Sequence, residues 1–148
     1  MFTKTTISCL ALFFLLSTNL FHGAAICFLY PKVHLTFYNH LPTKHPDRPL
    51  LVQCKSKDDN LGNHTLMHGQ TWGFSFCSIP LKTLFTCKLH WSGRNMAIVA
   101  YDGSWVLKRC NWGKCTWTVT ASGASLQHGE FHYWGQNPSP RSGSILYN

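Results

Sequence analysis

Along most of the chain apolar and polar side chains alternate with a period of two. Val33, Leu35 and Phe37 interleave with His34, Thr36 and Tyr38, the spacing of a half-buried strand. A Pro- and polar-rich stretch from Leu41 to Pro49 separates this run from Leu50-Leu51-Val52-Gln53-Cys54. Trp72, Phe74 and Phe76 then define one face, with Gly73 and Ser75 opposite. After a break at Pro80, Phe85, Cys87, Leu89 and Trp91 alternate with Thr86, Lys88 and His90. Met96 to Tyr101 is a largely apolar run with the character of a central strand. Asp102-Gly103 has the composition of a tight hairpin turn, and Trp105 to Cys110 is the expected return strand. Asn111-Trp112-Gly113-Lys114 reads as another turn and Cys115 to Ala121 as another strand. Ser122-Gly123 precedes further short strands at Leu126 and at Phe131 to Trp134. No segment carries a helical stripe, so the expectation is an all-β fold, an antiparallel sandwich or barrel of about eight short strands.

The first 25 residues do not fit this pattern. Lys4 precedes an almost continuously apolar run from Ile7 to Leu16, and Gly23, Ala24 and Ala25 offer small side chains for cleavage. That is the layout of a secretory signal peptide. Ser17, Thr18 and Asn19 interrupt the run short of the roughly 20 apolar residues a membrane-spanning helix needs. Residues 1–25 are therefore read as a removed leader, 26–135 as one domain, and the Gly-, Pro- and Ser-containing residues 136–148 as a flexible tail. The mature chain has no further segment apolar enough to be a transmembrane helix.

Secretion changes the meaning of the cysteines. Cys9 leaves with the leader, and Cys27, Cys54, Cys77, Cys87, Cys110 and Cys115 remain, an even set in an oxidising compartment. Their spacing lacks the opposed CxxC pairs of a structural zinc site, so disulfides are expected, with connectivity open. Charge points to anionic partners. Removing Lys4 from the 13 Lys and Arg leaves 12 against 5 Asp and Glu, a net charge of +7. Cell-wall polymers, lipid headgroups or an acidic receptor face would attract such a surface. The basic residues are scattered along the sequence and no recognition helix is visible, which argues against nucleic acid as partner.

One stretch is more specific than the rest. Cys54-Lys55-Ser56-Lys57-Asp58-Asp59-Asn60-Leu61-Gly62 joins a strand end to a charged turn closed by glycine. It is followed by Trp72-Gly73-Phe74-Ser75-Phe76, by Thr83-Leu84-Phe85-Thr86-Cys87-Lys88-Leu89-His90-Trp91, and by Cys110 and Cys115-Thr116-Trp117. In order and spacing these resemble the plant self-incompatibility S-protein homologue family, named after secreted stigma proteins that take part in rejecting self pollen. The resemblance spans nearly all of the mature chain. It implies a secreted, disulfide-stabilised β-sandwich bonded through Cys54, Cys87, Cys110 and Cys115, and a ligand-like role in cell-to-cell signalling without enzymatic activity. Cys27 and Cys77 are additional to that four-cysteine pattern and are available for a third bridge. Asn60 stands where the family usually has a third aspartate.

Candidate chemistry is sparse. Asp58 and Asp59 could ligate calcium, but Lys55 and Lys57 beside them oppose cation binding, and no metal or cofactor is expected. As an exposed turn on a rigid scaffold, Lys55, Lys57, Asp58, Asp59 and Asn60 are better suited to touching a partner. Asn63-His64-Thr65 is a glycosylation sequon directly after the turn. The histidines at 34, 64, 68, 90, 128 and 132 fall on polar strand faces or in turns, without the motifs of secreted ribonucleases, and no nucleophile elbow is present. The tryptophans at 72, 91, 105 and 117 are in register for the core. The expected function is that of a secreted, non-enzymatic ligand recognising a cell-surface receptor or membrane protein. A basic defence protein acting on microbial walls or membranes is the alternative.

Overall fold

The computed structural model describes residues 27–43, 48–105, 109–127 and 129–136. The leader expected over 1–25 lies outside them, as does the tail expected over 136–148 apart from Gln136. Among the described residues nine strands are formed: β1 (Lys32–Asn39), β2 (Leu50–Lys55), β3 (Asn60–Leu66), β4 (Thr71–Cys77), β5 (Leu84–Trp91), β6 (Arg94–Asp102), β7 (Lys114–Val119), β8 (Gly123–Leu126) and β9 (Phe131–Tyr133). They make a five-stranded sheet ordered β4-β1-β7-β8-β9 and a four-stranded sheet ordered β3-β2-β5-β6. No helix occurs among the described residues.

The alternation dictates which side chains lie between the sheets. Val33, Leu35 and Phe37 of β1 and Phe85, Cys87, Leu89 and Trp91 of β5 are buried together with Trp117, Val119, Val52 and Ile98. Fully burying an aliphatic or aromatic side chain of this kind contributes about 1.5–3 kcal/mol. Trp72, Phe74 and Phe76 pack against this core from β4, an outer strand, and stay partly exposed.

Three details depart from the alternating pattern. β1 and β7 pair in parallel, so the sandwich is antiparallel except at that one pair. β6, expected at the centre of a sheet, is an edge strand; its Ala97 and Val99 are half-buried on the outer side while Met96, Ile98 and Ala100 face inward. Trp105, Arg109 and Cys110, the described residues of the return strand expected over 105–110, are not in a strand. Trp105 folds back on Asp102 through its backbone N–H, and residues 106–108 lie outside the described residues. Gly103 is required for a different reason: a Cβ there would stand 2.6 Å from the carbonyl oxygen of Ile79, so only glycine lets the β4–β5 connection pass this closely.

A bulge satisfies a buried donor in the core. The register between β5 and β6 shifts between Phe85 and Thr86, which pair with Tyr101 and Val99 and leave Ala100 as the extra residue. The Ala100 carbonyl accepts a 2.9 Å bond from the buried indole N–H of Trp117 in the opposite sheet. A buried indole donor without such a partner would be destabilising.

Three disulfides reinforce the sandwich. Cys54 and Cys87 face each other across β2 and β5, with Cα atoms 4.1 Å apart. Cys110 bonds Cys115 just before and at the start of β7, and Cys27 bonds Cys77 at the end of β4. The sequence separations are 33, 5 and 50, so the first and last remove far more chain freedom from the unfolded state than the second.

Candidate functional site

Strand polarity brings distant parts of the chain to one end of the sandwich. β1 and β7 begin there, β2, β4 and β6 finish there, and β3 and β5 leave from it; the registers Lys32↔Cys77, His34↔Lys114, Lys55↔Thr86 and Leu84↔Asp102 mark it. The segment 27–31, the β2–β3 turn, the β4–β5 connection and the turn before β7 share this end.

The β2–β3 turn is held by its own serine. The Ser56 hydroxyl oxygen accepts from the backbone N–H of Asp58 at 3.3 Å and of Asp59 at 3.0 Å, and the Ser56 N–H donates to the Asp59 carbonyl. This fixes the backbone and leaves Lys57, Asp58 and Asp59 exposed. Lys55 is the last residue of β2 and pairs with Asn60, the first of β3. Asn60 accepts from the Gly62 N–H at 3.1 Å, and Gly62 adopts φ 76° at a bulge inside β3. The glycine therefore kinks the strand rather than closing the turn. The turn borders a cleft of about 870 Å³ whose other wall is Phe76, Cys77, Ile79 and Lys82 to Thr86.

The lysines scattered in sequence are not scattered in space. Of the six described lysines, Lys32, Lys55, Lys57, Lys82 and Lys114 lie at this end, all exposed, and only Lys88 lies elsewhere. Arg109 is also here but pairs with Glu130. Among the described residues Asp58 and Asp59 form no ion pair. The expectation of an unclustered charge is corrected: pairing between distant strands gathers it.

The same end exposes large apolar side chains that the sequence reading did not single out. Phe28, Leu29, Leu81 and Trp112 are 89%, 80%, 75% and 90% exposed. Trp112 did carry a local signal, because a tryptophan in a two-residue turn cannot reach the core.

The other sequence candidates stand apart from this end. Asn63 lies within β3, exposed on the outer face of the four-stranded sheet opposite Gln53, beside a groove of about 610 Å³ lined also by Leu51, Lys88, His90 and Asn95. The described candidate histidines do not converge on one centre: His34 meets Ser75, His64 stacks on Trp72 with ring centroids 3.7 Å apart, and His90 bonds Asn95. His128 lies outside the described residues. Trp117 and Trp91 are buried, and Trp72 and Trp105 pack on the core rim.

One buried titratable group supports this end from beneath. Burial pushes the Tyr101 hydroxyl up from its ordinary 10.0; its hydrogen bond with Ser78 opposes the shift, and the charge of Asp102 adds to it. That 2.6 Å bond ties β6 to the start of the β4–β5 connection.

Residues 34–137 match the family model described as plant self-incompatibility protein S1. S-protein homolog 29 of Arabidopsis thaliana is 31% identical over 116 residues, which is 78% of this chain and 84% of that protein. S-protein homolog 8 of the same plant is 40% identical over 89 residues, 57% of this chain and 65% of the relative. A solved structure described as that of SPH (self-incompatibility protein homologue) proteins, "a widespread family of small, highly stable, secreted proteins from plants", superposes with a TM-score of 0.50 at 16% identity. It covers 72% of this chain and 96% of the other, a likeness of fold.

Proposed function

The chain belongs to the plant self-incompatibility protein S1 family, and on that premise we propose that it is a secreted, non-enzymatic ligand that recognises a cell-surface partner, as in self-incompatibility. The observation that carries the reading is the convergence of five exposed lysines with the Asp58-Asp59 turn on one end of a disulfide-bonded sandwich. Loops fixed on a rigid scaffold present charge at little entropic cost, because the backbone is already ordered before binding. Lys55, Lys57, Asp58, Asp59 and Asn60 form the partner-contacting turn. A glycan on Asn63 would cover the outer face of the four-stranded sheet and leave that end open.

The test is binding of the labelled, oxidised protein to plant membranes at physiological salt with unlabelled competitor. Saturable binding that is lost on reduction is expected, with a component removed by protease treatment of the membranes. Replacing Lys55, Lys57, Asp58 and Asp59 together by Ala should weaken it by about tenfold or more, since rim charges set partner choice and encounter. Non-saturable adsorption that vanishes with added salt would sink the receptor reading.

A further inference from the structure

Two hairpin turns of this protein have the same backbone and opposite side chains. Ser92-Gly93, between β5 and β6, has φ of 49° and 78°; Trp112-Gly113, before β7, has φ of 48° and 82°. Both are the twist-matched two-residue turn in which each central residue takes positive φ. A small polar residue satisfies the first turn. The second holds a tryptophan in the same disfavoured region, and its ring is 90% exposed, so core packing does not account for it. Leu81 repeats the situation in the β4–β5 connection, with φ 60° and 75% exposure. The described chain has three non-glycine residues at positive φ, Leu81, Ser92 and Trp112. Two of them are exposed apolar tips at the lysine-rich end. Strained positions that present a side chain are characteristic of functional surfaces.

We propose that this end of the sandwich docks on an anionic phospholipid bilayer, Trp112 and Leu81 entering the interfacial layer while the lysines meet the headgroup charge. Phe28 and Leu29, the other strongly exposed apolar pair, are held at the same end by the Cys27–Cys77 bridge. Charge complementarity selects the lipid: five of the six described lysines and Arg109 lie at this end against Asp58, Asp59, Asp102 and Glu130, six positive groups against four negative, a net charge of +2. The layout favours a bilayer over a protein groove. Protein hot spots sit around well-packed pockets, whereas Phe28, Leu29, Leu81 and Trp112 are all at least 75% exposed tips. Tryptophan with its polar N–H suits the headgroup level, and lysine reaches from a shallow position to the phosphates. The docking needs no receptor, so it can fail or hold independently of the ligand reading.

The test is sedimentation of the oxidised, full-length secreted protein with phosphatidylcholine vesicles, with or without phosphatidylserine, at physiological salt. Selective binding to the phosphatidylserine vesicles is expected, with a blue shift in tryptophan emission. Trp112→Asn places a turn-forming residue at the same φ, and Leu81→Gly removes its tip, so both variants keep the fold; circular dichroism checks this. Each should weaken vesicle binding about tenfold, and Trp112→Asn should abolish the blue shift. No binding by the unmodified protein would overturn the proposal. So would equal binding by the Trp112→Asn and Leu81→Gly proteins, which would mean charge adsorption alone. Protease-sensitive binding to plant membranes without binding to vesicles would assign this end to a protein and overturn the lipid.

Discussion

The two ends of the sandwich are built on different principles. At the end opposite the lysines, loops are sewn to the core. Asn39, 1% exposed, donates to the Leu66 carbonyl at 2.8 Å and accepts from the Leu41 N–H at 2.9 Å, joining β1 to β3 of the other sheet. Trp134 stacks toward Trp91 and donates to the Thr120 carbonyl; Arg94 lies over Trp91 and donates to the Ala121 carbonyl. The Gly135 N–H bonds the Asn95 carbonyl, and the Ala97 N–H bonds the Gln136 carbonyl, so the chain after β9 covers the edge of β6. The lysine-rich end combines disulfides with ties such as Ser78–Tyr101 and the Ser56-held turn, and leaves its apolar and charged tips outside. One end is closed over the core, and the other leaves its tips in solvent.

Breaking each end by its own device gives the largest effects. Replacing Cys54 and Cys87 together by Ala should lower unfolding free energy by about 2–5 kcal/mol, read from the denaturant midpoint. It should also loosen the β2–β3 turn in hydrogen exchange, because Cys54 immediately precedes that turn. Asn39→Ala strips a buried carbonyl and a buried N–H of their partner. It should cost about 2–4 kcal/mol and raise exchange at the opposite end, sparing residues 55–60. If both changes loosened both ends alike, the division of labour would be refuted.

A smaller, pH-dependent effect isolates the support beneath the lysine-rich end. Tyr101→Phe loses the bond to Ser78 and should cost about 1 kcal/mol at neutral pH. The hydroxyl holds its proton more tightly folded than unfolded. The unfolded state therefore releases that proton first as pH rises past 10, and the native protein loses stability through the interval up to the raised folded value. The Phe variant lacks this contribution, so the stability gap between the two proteins should narrow above pH 10. A gap that widened there would reverse the sign assigned to Tyr101.

What could be read from the chain follows the same division. Period-two alternation identified β1, β4 and β5 with their buried faces, because a strand's faces are a local property. The parallel β1–β7 pairing and the edge position of β6 depend on which distant strand lies alongside, and no local pattern encodes that. The third bridge was legible by another route: Cys27 and Cys77 are left over from the four-cysteine pattern, and the structure joins them across a separation of 50. The candidate surface was legible only where it was local, at Lys55 to Asn60. Lys32, Lys82 and Lys114 are isolated charges in sequence and become neighbours of that turn only through strand polarity.

The smallest effect discriminates most between the two ends, because it runs opposite to the usual cost of mutation. At the stitched end the two-residue turn is Ser92-Gly93; at the lysine-rich end it is Trp112-Gly113. If Trp112 and Leu81 served the fold, removing them would destabilise it. If they are held in disfavoured backbone for contact, Leu81→Gly and Trp112→Asn should leave the protein unchanged or more stable by about 0–1 kcal/mol. Glycine and asparagine accept positive φ with less strain, and glycine's extra freedom in the unfolded chain offsets part of that gain. Ser92→Trp at the stitched end is the converse control. It copies the strain without the lysines, and should lower the midpoint slightly while conferring no vesicle binding. Thermal unfolding of the three variants reads the result. A loss well above 1 kcal/mol on Leu81→Gly would make that residue part of the scaffold and return the lysine-rich end to the same logic as its opposite.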